Sequence, residues 1–332
     1  GGELLFAAAH SIALALVGRG LVGLGDAFTF LSVMRLVQNW FPEQRYGLLA
    51  ALAALMGGAG QLVSTVPLHV GLEHFGWGAT FTVTALVTLV VAIPMWLLLH
   101  DRPPTLVGYG VGRLARAPSP SGRGIMVASL REVTRRAGTW QGMWAHFGLT
   151  GAYAVFTALW GYPFLVRAEH YSAARASDAL ALVVVSSIVA SPLVGTLMSR
   201  APGSRVPLVY GVASAIGGFW VLALVIGIGD VPGWLVVTIL VSTGMGAPAS
   251  AAAFDLAREA NSAERGGAAS GVVNIGGFTA AVLSDIAIGL LLATVGHGGH
   301  RPSSFEWPMA SIPIMMAIAL GGFWSCRRRL TR

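Results

Sequence analysis

The sequence predicts an all-α protein that crosses a membrane many times and is built from two bundles of helices. Apolar residues make up 55% of the 332 positions and charged residues only 11%, whereas roughly 25% of residues are charged in soluble domains. Uncharged apolar stretches recur at about the 20-residue length that a bilayer core requires of a helix. A polar linker and a short internal repeat then divide the spans into two halves.

Nine stretches are predicted to span the bilayer. Each is a long apolar run bounded by short polar segments, as expected of polytopic helical proteins. The spans cover about 13–38, 47–72, 79–99, 141–166, 177–198, 206–228, 231–254, 267–295 and 307–326. Residues 1–10 are interpreted as the end of an earlier span, so we expect the chain to be truncated at its N terminus.

The arginines predict the orientation. All 21 basic residues are Arg, and with nine spans sixteen of them fall on one side of the membrane and three on the other. The remaining two lie inside the first span. Because cytoplasmic loops carry the excess of basic residues, the richer side, which includes the C terminus, is expected to be cytoplasmic. We therefore expect a multi-pass protein of the inner (cytoplasmic) membrane, surrounded by lipid.

One segment interrupts the series of spans. Residues 101–138 are rich in Pro, Gly, Ser and Arg, a composition that does not bury a core and is typical of a linker. The predicted organisation is an incomplete N-terminal bundle over 1–100, a cytoplasmic linker over 101–138 and a six-helix bundle over 139–332. Residues 131–136 are either a short surface helix on the anionic inner leaflet or a solvated connector.

Composition also excludes several functions. Without Lys the chain has neither the phosphate-binding lysine of a P-loop nor a Schiff-base lysine. It has no H-E-x-x-H or G-x-S-x-G motif. His297 and His300 are too few ligands for a metal site, and the arginines are not interleaved with aromatic residues as in nucleic-acid-binding stripes. We expect no enzyme activity, cofactor, metal or nucleic-acid partner.

The two halves contain similar short stretches. Residues 43–58 and 263–278 share one Arg and two Gly at an offset of 220, in each case at the start of a Gly-rich span. The matched pairs are Arg45 with Arg265, Gly47 with Gly267, and Gly57 with Gly277. Two similarly oriented bundles joined by a cytoplasmic loop are the plan of parallel-repeat transporters.

Several motifs, in this order and spacing, resemble the major facilitator superfamily. They are G-R-G-L-V-G-L-G at 18–25, N-W-F-P-E-Q-R-Y-G at 39–47, H-F-G-W at 74–77, A-L-W-G-Y-P-F-L at 158–165 and G-T-L-M-S-R-A-P-G-S-R at 195–205. Ser199 stands where the family usually has Asp. The stretch 57–68 lacks the Gly-Pro pair of drug antiporters, which argues against that subclass. The resemblance implies that the spans are family helices 4 to 12, without the first two to three helices.

The resemblance also implies a function. The chain is expected to be a monomer that carries out secondary active transport of a small-molecule solute by alternating access, with H⁺ as the coupling ion. A polytopic membrane enzyme, such as a transferase, and a non-transporting membrane sensor are the alternatives. Neither the substrate nor the direction of transport follows from the sequence.

Polar residues inside apolar spans are the candidate site, because an intramembrane charge is costly. Arg19 and Asp26 are two turns apart on one helix face, about 10 Å along the axis. Asp285 is a candidate proton carrier, and Tyr153 and Trp160 form either an aromatic wall or interface anchors. The alternative is a buried polar network that orients helices. The predicted cavity residues are Arg19, Asp26, Gln61, His69, Tyr153, Trp160, Asn274 and Asp285.

Two further sets complete the expectations. Arginines at cytoplasmic helix ends are predicted to latch the bundles, or simply to set the topology: Arg45, Arg200, Arg205 and Arg265. Glycines in the repeated spans are predicted to let helices pack closely: Gly23, Gly25, Gly57, Gly58, Gly267 and Gly271.

Overall fold

The computed structural model describes residues 1–41, 46–100, 123–294 and 302–331. All regular elements in those ranges are helices, as the sequence predicts. The chain divides into two compact units, Gly1–Ala117 and Pro118–Arg332. The division lies within the predicted linker, most of which is outside the described residues, so the three-part domain assignment stays a prediction.

In the described part of the N-terminal unit there are three helices: α1 (Gly2–Ala7), α2 (Ile12–Trp40) and α3 (Tyr46–Leu98). Two predicted spans, 47–72 and 79–99, fall within α3, which bends sharply at Gly76, where φ is +73°. Only glycine adopts such a backbone readily. Directly after the bend, Trp77 donates a hydrogen bond from Nε1 to the carbonyl of Phe6 at 3.0 Å, which attaches α3 to α1.

The C-terminal unit contains the remaining helices. They are α4 (Arg123–Val133), α5 (Ala137–Val155), α6 (Gly161–Pro163), α7 (Ala173–Arg200), α8 (Arg205–Ile226), α9 (Gly233–Ala249), α10 (Ala251–Glu259), α11 (Gly266–Thr294), α12 (Glu306–Met309) and α13 (Ser311–Leu330). Two π-helical turns, Phe156–Trp160 and Phe164–Ala168, flank α6. The segment from α5 to Ala168 is therefore one long, irregular rod.

Seven helical segments of the described residues are long and apolar enough to cross a membrane. They are Val70–Leu98, Ala137–Ala168, Ala173–Arg200, Pro202–Ile226, Gly233–Glu259, Gly266–Thr294 and Ser303–Leu330. The predicted spans 13–38 and 47–72 are also helical, as parts of α2 and α3. In the C-terminal unit all six predicted spans coincide with these segments.

The two faces of these helices differ in the way a bilayer requires. Inside the C-terminal unit, the ring of Trp220 is fully enclosed and packs against Phe164 with ring centroids 5.2 Å apart. On the outside of α7, Val185, Val189 and Leu193 are 46%, 58% and 66% exposed. These three residues recur every fourth position and so form one apolar stripe. Apolar stripes of this kind on several helices indicate a lipid-facing surface.

The close helix contacts lie at glycines other than those predicted. A Cβ added at Gly23, Gly25, Gly57, Gly267 or Gly271 meets nothing within 4 Å, and the surroundings of Gly58 are outside the described residues. By contrast, a Cβ at Gly276 of α11 lies 2.6 Å from the carbonyl oxygen of Met143 on α5. The structure differs here because a Gly-rich span has glycines on every face, and only the rotation of the helix decides which face meets a neighbour.

The linker helix also differs from the expectation. A short surface helix was one of the two alternatives for 131–136, whereas α4 covers Arg123–Val133 and ends within that stretch. Residues 134–136 form the corner between α4 and α5. Trp140 of α5 fixes this corner by donating a hydrogen bond from Nε1 to the carbonyl of Thr134 at 2.6 Å.

Candidate functional site

A polar network lies where the span Gly233–Glu259 is broken into α9 and α10. Ser250 stands at the break and donates a hydrogen bond to the carbonyl of Ala247 at 2.9 Å. Thr150 of α5 donates to Ser250 Oγ at 2.9 Å and lies 3.1 Å from Nδ1 of His146. Since the Thr150 hydroxyl donates to Ser250, the hydrogen-bond network assigns Nδ1–H of His146 as the donor to Thr150.

The imidazole of His146 is closely enclosed. The ring is edge-on to Phe254, with centroids 4.9 Å apart, and only 5% of the residue is exposed. On its other side, a Cβ added at Gly277 would lie 2.9 Å from Nε2. Nε2 is buried and has no hydrogen-bond partner among the described residues. In this arrangement the ring of His146 packs against α10 and α11.

Two further buried polar atoms lie on the first π-helical turn after α5 and on α11. Trp160 ends the first π-helical turn, and its Cζ2 lies 3.7 Å from the position of a Cβ at Gly289. Asp285 lies one helical turn before Gly289 on α11. Asp285 Oδ1 and Trp160 Nε1 are both buried without a hydrogen-bond partner in the described part of the chain. Buried polar atoms are normally bonded, so this acceptor and this donor are available to a proton, water or solute.

The other predicted residues of the C-terminal bundle are close to this pair in sequence, not bonded to it. Tyr153 lies two turns before Trp160 and is half-buried, as is Asn274 on α11. Within the described residues, no hydrogen bond joins the side chains of Asn274 and Asp285. The predicted aromatic wall of Tyr153 and Trp160 stays a prediction.

The N-terminal candidates are placed less completely. The guanidinium carbon of Arg19 lies 5.3 Å from the centroid of the Phe6 ring, and the side chains of Arg19 and Asp26 are exposed. The side chains of Gln61 and His69 lie outside the described residues, as does Arg45. The single cavity predicted from the sequence therefore stays a prediction.

Two of the four predicted latch arginines form ion pairs within the C-terminal unit. Arg205 at the start of α8 binds two carboxylates of α10, Asp255 at 3.2 Å and Glu259. Arg265 lies 3.8 Å from Glu132 of α4, and Arg200 is exposed in the last turn of α7. These pairs join helices of one bundle, and a latch between the bundles stays a prediction.

A buried carboxylate at the opposite end of the bundle was not predicted from the sequence. Glu169, at the end of the second π-helical turn, is 8% exposed and accepts a hydrogen bond from the backbone N–H of Gly229 at 3.0 Å. Burial raises the pKa of Glu169, and the hydrogen bonds from Gly229 and Val231 oppose that rise. The residue attaches the loop between α8 and α9 to the end of the α5 rod. A charged residue at a span end gives no local signal of such burial.

The helical fold, the apolar outer faces and the polar groups inside the spans can be compared with known proteins. A sequence profile of the Major Facilitator Superfamily matches residues 2–285. The chain belongs to this superfamily. Its structure is similar to that of the E. coli fucose:proton symporter FucP, with a TM-score of 0.56 and 18% sequence identity, over 97% of this chain and 81% of that one. No functionally curated protein matches the chain.

Membership of the Major Facilitator Superfamily confirms the resemblance found in the motifs, and the similarity to FucP confirms the fold class. Membership of the superfamily supports a multi-pass membrane transporter. The network of Thr150 and Ser250 was missed because hydroxyls in apolar spans are common. Pro248, two residues before the break, is the local signal that could have indicated it.

Proposed function

We propose that this protein is a secondary active transporter that moves a small-molecule solute across the cytoplasmic membrane by alternating access, coupled to protons. The observation that carries the proposal is the Asp285 carboxyl, which lies inside the apolar span Gly266–Thr294 with one oxygen buried and unbonded. The Major Facilitator Superfamily supplies the setting in which such a group is used.

A charge in the middle of a span costs about 2.5–3.5 kcal/mol on insertion scales. The carboxyl of Asp285 has no cationic partner within 4 Å in the described residues, so binding a proton is the simplest way to neutralise it. A carboxyl that gains and loses a proton as its access alternates between the two membrane sides couples proton movement to the conformational change.

The solute would bind next to this carboxyl. Trp160 supplies an unbonded N–H and an aromatic face beside Gly289, and Asp285 supplies an acceptor when it is ionised. Asn274 and Tyr153 are proposed to extend the same site, and Arg19, Asp26, Gln61 and His69 to line it from the N-terminal bundle. The cytoplasmic arginines, including Arg45 and Arg200, are proposed to close that end between the bundles.

The proposed orientation places the C terminus in the cytoplasm. It rests on the distribution of the arginines, of which Arg327, Arg328 and Arg329 follow the last span directly. We further propose that the protein acts as a monomer.

The test compares the full chain with Asp285→Asn in proteoliposomes. Uptake of a panel of radiolabelled small solutes is measured with and without an imposed pH gradient, and exchange of the same solutes is measured without a gradient. Asp285→Asn is expected to abolish gradient-driven accumulation and to retain exchange, since the amide binds solute but does not release a proton. Asp178→Asn, at the exposed start of α7, is the matched control.

A second measurement does not require the solute. An infrared pH titration of the purified protein is expected to show a protonated carboxyl band that disappears in Asp285→Asn and persists in Asp178→Asn. Gradient-driven accumulation by the Asp285→Asn variant at the level of the unmodified protein would refute the proposal.

A further inference from the structure

We propose that one face of α4 binds anionic phospholipid headgroups of the inner leaflet. This α4 surface consists of Met126, Val127, Leu130 and Arg131 of α4, together with Arg135 in the turn that follows the helix. Only its assignment to the inner leaflet depends on the proposed orientation; the binding itself does not depend on transport.

The apolar part of the α4 surface is uncovered. Met126 is 60% exposed, Val127 57% and Leu130 39%, and their spacing of one, three and four residues places them on one side of the helix. A short helix next to membrane spans with such a side buries it in the boundary between headgroups and acyl chains. Lipid is therefore the partner that we expect to cover the apolar side of α4.

The acidic and basic residues of α4 differ in whether they have ion-pair partners. Its acidic residue, Glu132, forms an ion pair with Arg136 at 2.7 Å and lies 3.8 Å from Arg265. The hydrogen bond and charge of Arg136, followed by the charges of Arg265 and Arg135, lower the pKa of Glu132, so this carboxylate stays ionised. Among the described residues no carboxylate lies within 4 Å of Arg131 or Arg135, and both arginines are exposed, one on α4 and one in the turn after it.

Contacts at the end of α4 fix the orientation of this surface relative to α5. Val133 at its end is fully buried, and the hydrogen bond from Trp140 to the carbonyl of Thr134 fixes the corner to α5. The span Ala137–Ala168 starts four residues after α4 ends. The Trp140 ring is 39% exposed at that end, a position that tryptophan commonly occupies at a membrane interface. The α4 surface therefore lies at headgroup level.

Charge complementarity selects anionic headgroups over zwitterionic ones. Near an anionic membrane each basic residue contributes about a fivefold gain in affinity. Loss of both Arg131 and Arg135 is therefore expected to weaken binding about 30-fold. A nucleic acid is a poorer partner, because its phosphates would pair with the arginines but the apolar side of α4 would stay exposed to water.

The experiment measures binding of fluorescent phosphatidylglycerol to the purified full chain in neutral detergent micelles. The variants are Arg131→Gln with Arg135→Gln, Val127→Asn, and Arg175→Gln as the control on an exposed arginine at the other end of the bundle. The double variant is expected to bind about 30-fold more weakly and to lose the salt dependence of binding. Val127→Asn is expected to bind more weakly with the salt dependence intact.

Thermal unfolding in micelles without added lipid separates an effect on binding from an effect on folding. All variants are expected to have the melting temperature of the unmodified full chain. Equal binding by the double variant, or an equal loss in Arg175→Gln, would overturn the proposal. Labelled phosphatidylcholine that binds as tightly as phosphatidylglycerol would also overturn it. So would displacement of the lipid by millimolar glycerol phosphate, since this would assign the site to a soluble phosphate.

Discussion

Replacing Gly276 by Ala tests the contact between α5 and α11. A Cβ at this position lies 2.6 Å from the carbonyl oxygen of Met143 and 3.0 Å from its Cγ and Sδ. The side chain can move, but the carbonyl belongs to the backbone of α5. The two helices must separate by about 0.8 Å locally to restore the 3.4 Å of an ordinary contact.

The free energy of unfolding is expected to fall. Overpacking a well-packed helix contact costs about 1–3 kcal/mol, while the higher helix propensity of Ala returns at most about 1 kcal/mol. Gly271 is the matched control on the same helix, because a Cβ there meets nothing within 4 Å. Gly271→Ala receives only the propensity gain, so the two variants are expected to differ by about 1–3 kcal/mol.

The assay is thermal unfolding of both variants in the same detergent, with a shift of about 2–4 °C expected for each kcal/mol in a unit of this size. Gly276→Ala is expected to melt below the unmodified protein and Gly271→Ala at or slightly above it. If Gly276→Ala melts together with Gly271→Ala, the α5–α11 contact is looser than described and the reasoning is wrong.

Three further perturbations follow from the structure. Burial raises the folded-state pKa of Glu169, so its contribution to stability is largest below the unfolded pKa of 4.5 and is lost as pH rises through the folded pKa. Glu169→Gln, which retains an acceptor, should flatten this part of the curve of melting temperature against pH. An unchanged curve would contradict the assignment. Arg205→Gln should cost about 1–3 kcal/mol because that side chain is 15% exposed and binds two carboxylates. Arg258→Gln, at 42% exposure within one helix, should change stability by at most about 0.5 kcal/mol. Equal effects in chemical denaturation would mean that the α8–α10 pairs do not form. Gly76→Ala should cost about 1–3 kcal/mol, since φ is +73° there, with Gly57→Ala, in open surroundings, as the control whose equal loss would exclude a backbone cause.

The helices themselves were predictable because each span is a local property of composition. A run of about 20 apolar residues identifies its own solvent and its own secondary structure, so the six C-terminal spans coincide with observed helices. Asp285 and Trp160 were also named as candidates from the sequence alone, since a carboxyl in an apolar run is conspicuous. That neither Asp285 Oδ1 nor Trp160 Nε1 has a partner in the described part of the chain required coordinates.

What local composition did not reveal were the irregularities within the helices. Ser250 divides α9 from α10, and two π-helical turns flank α6. These features depend on where Pro248 and neighbouring helices leave backbone groups to be satisfied. Hydropathy is averaged over such positions, so the same span is predicted whether the helix is broken or continuous.

By itself the sequence determined the medium, the helical class, the approximate extent of the spans and the family to which the chain belongs. The tertiary structure alone decided that Gly276 and not Gly271 meets a neighbouring helix, and that Arg205 pairs with Asp255 and Glu259. The physical reason is that hydropathy and length act on each segment separately, whereas close contacts and ion pairs depend on the rotation of one helix against another. In a chain rich in glycine and apolar residues, many rotations have similar composition, and only packing distinguishes them.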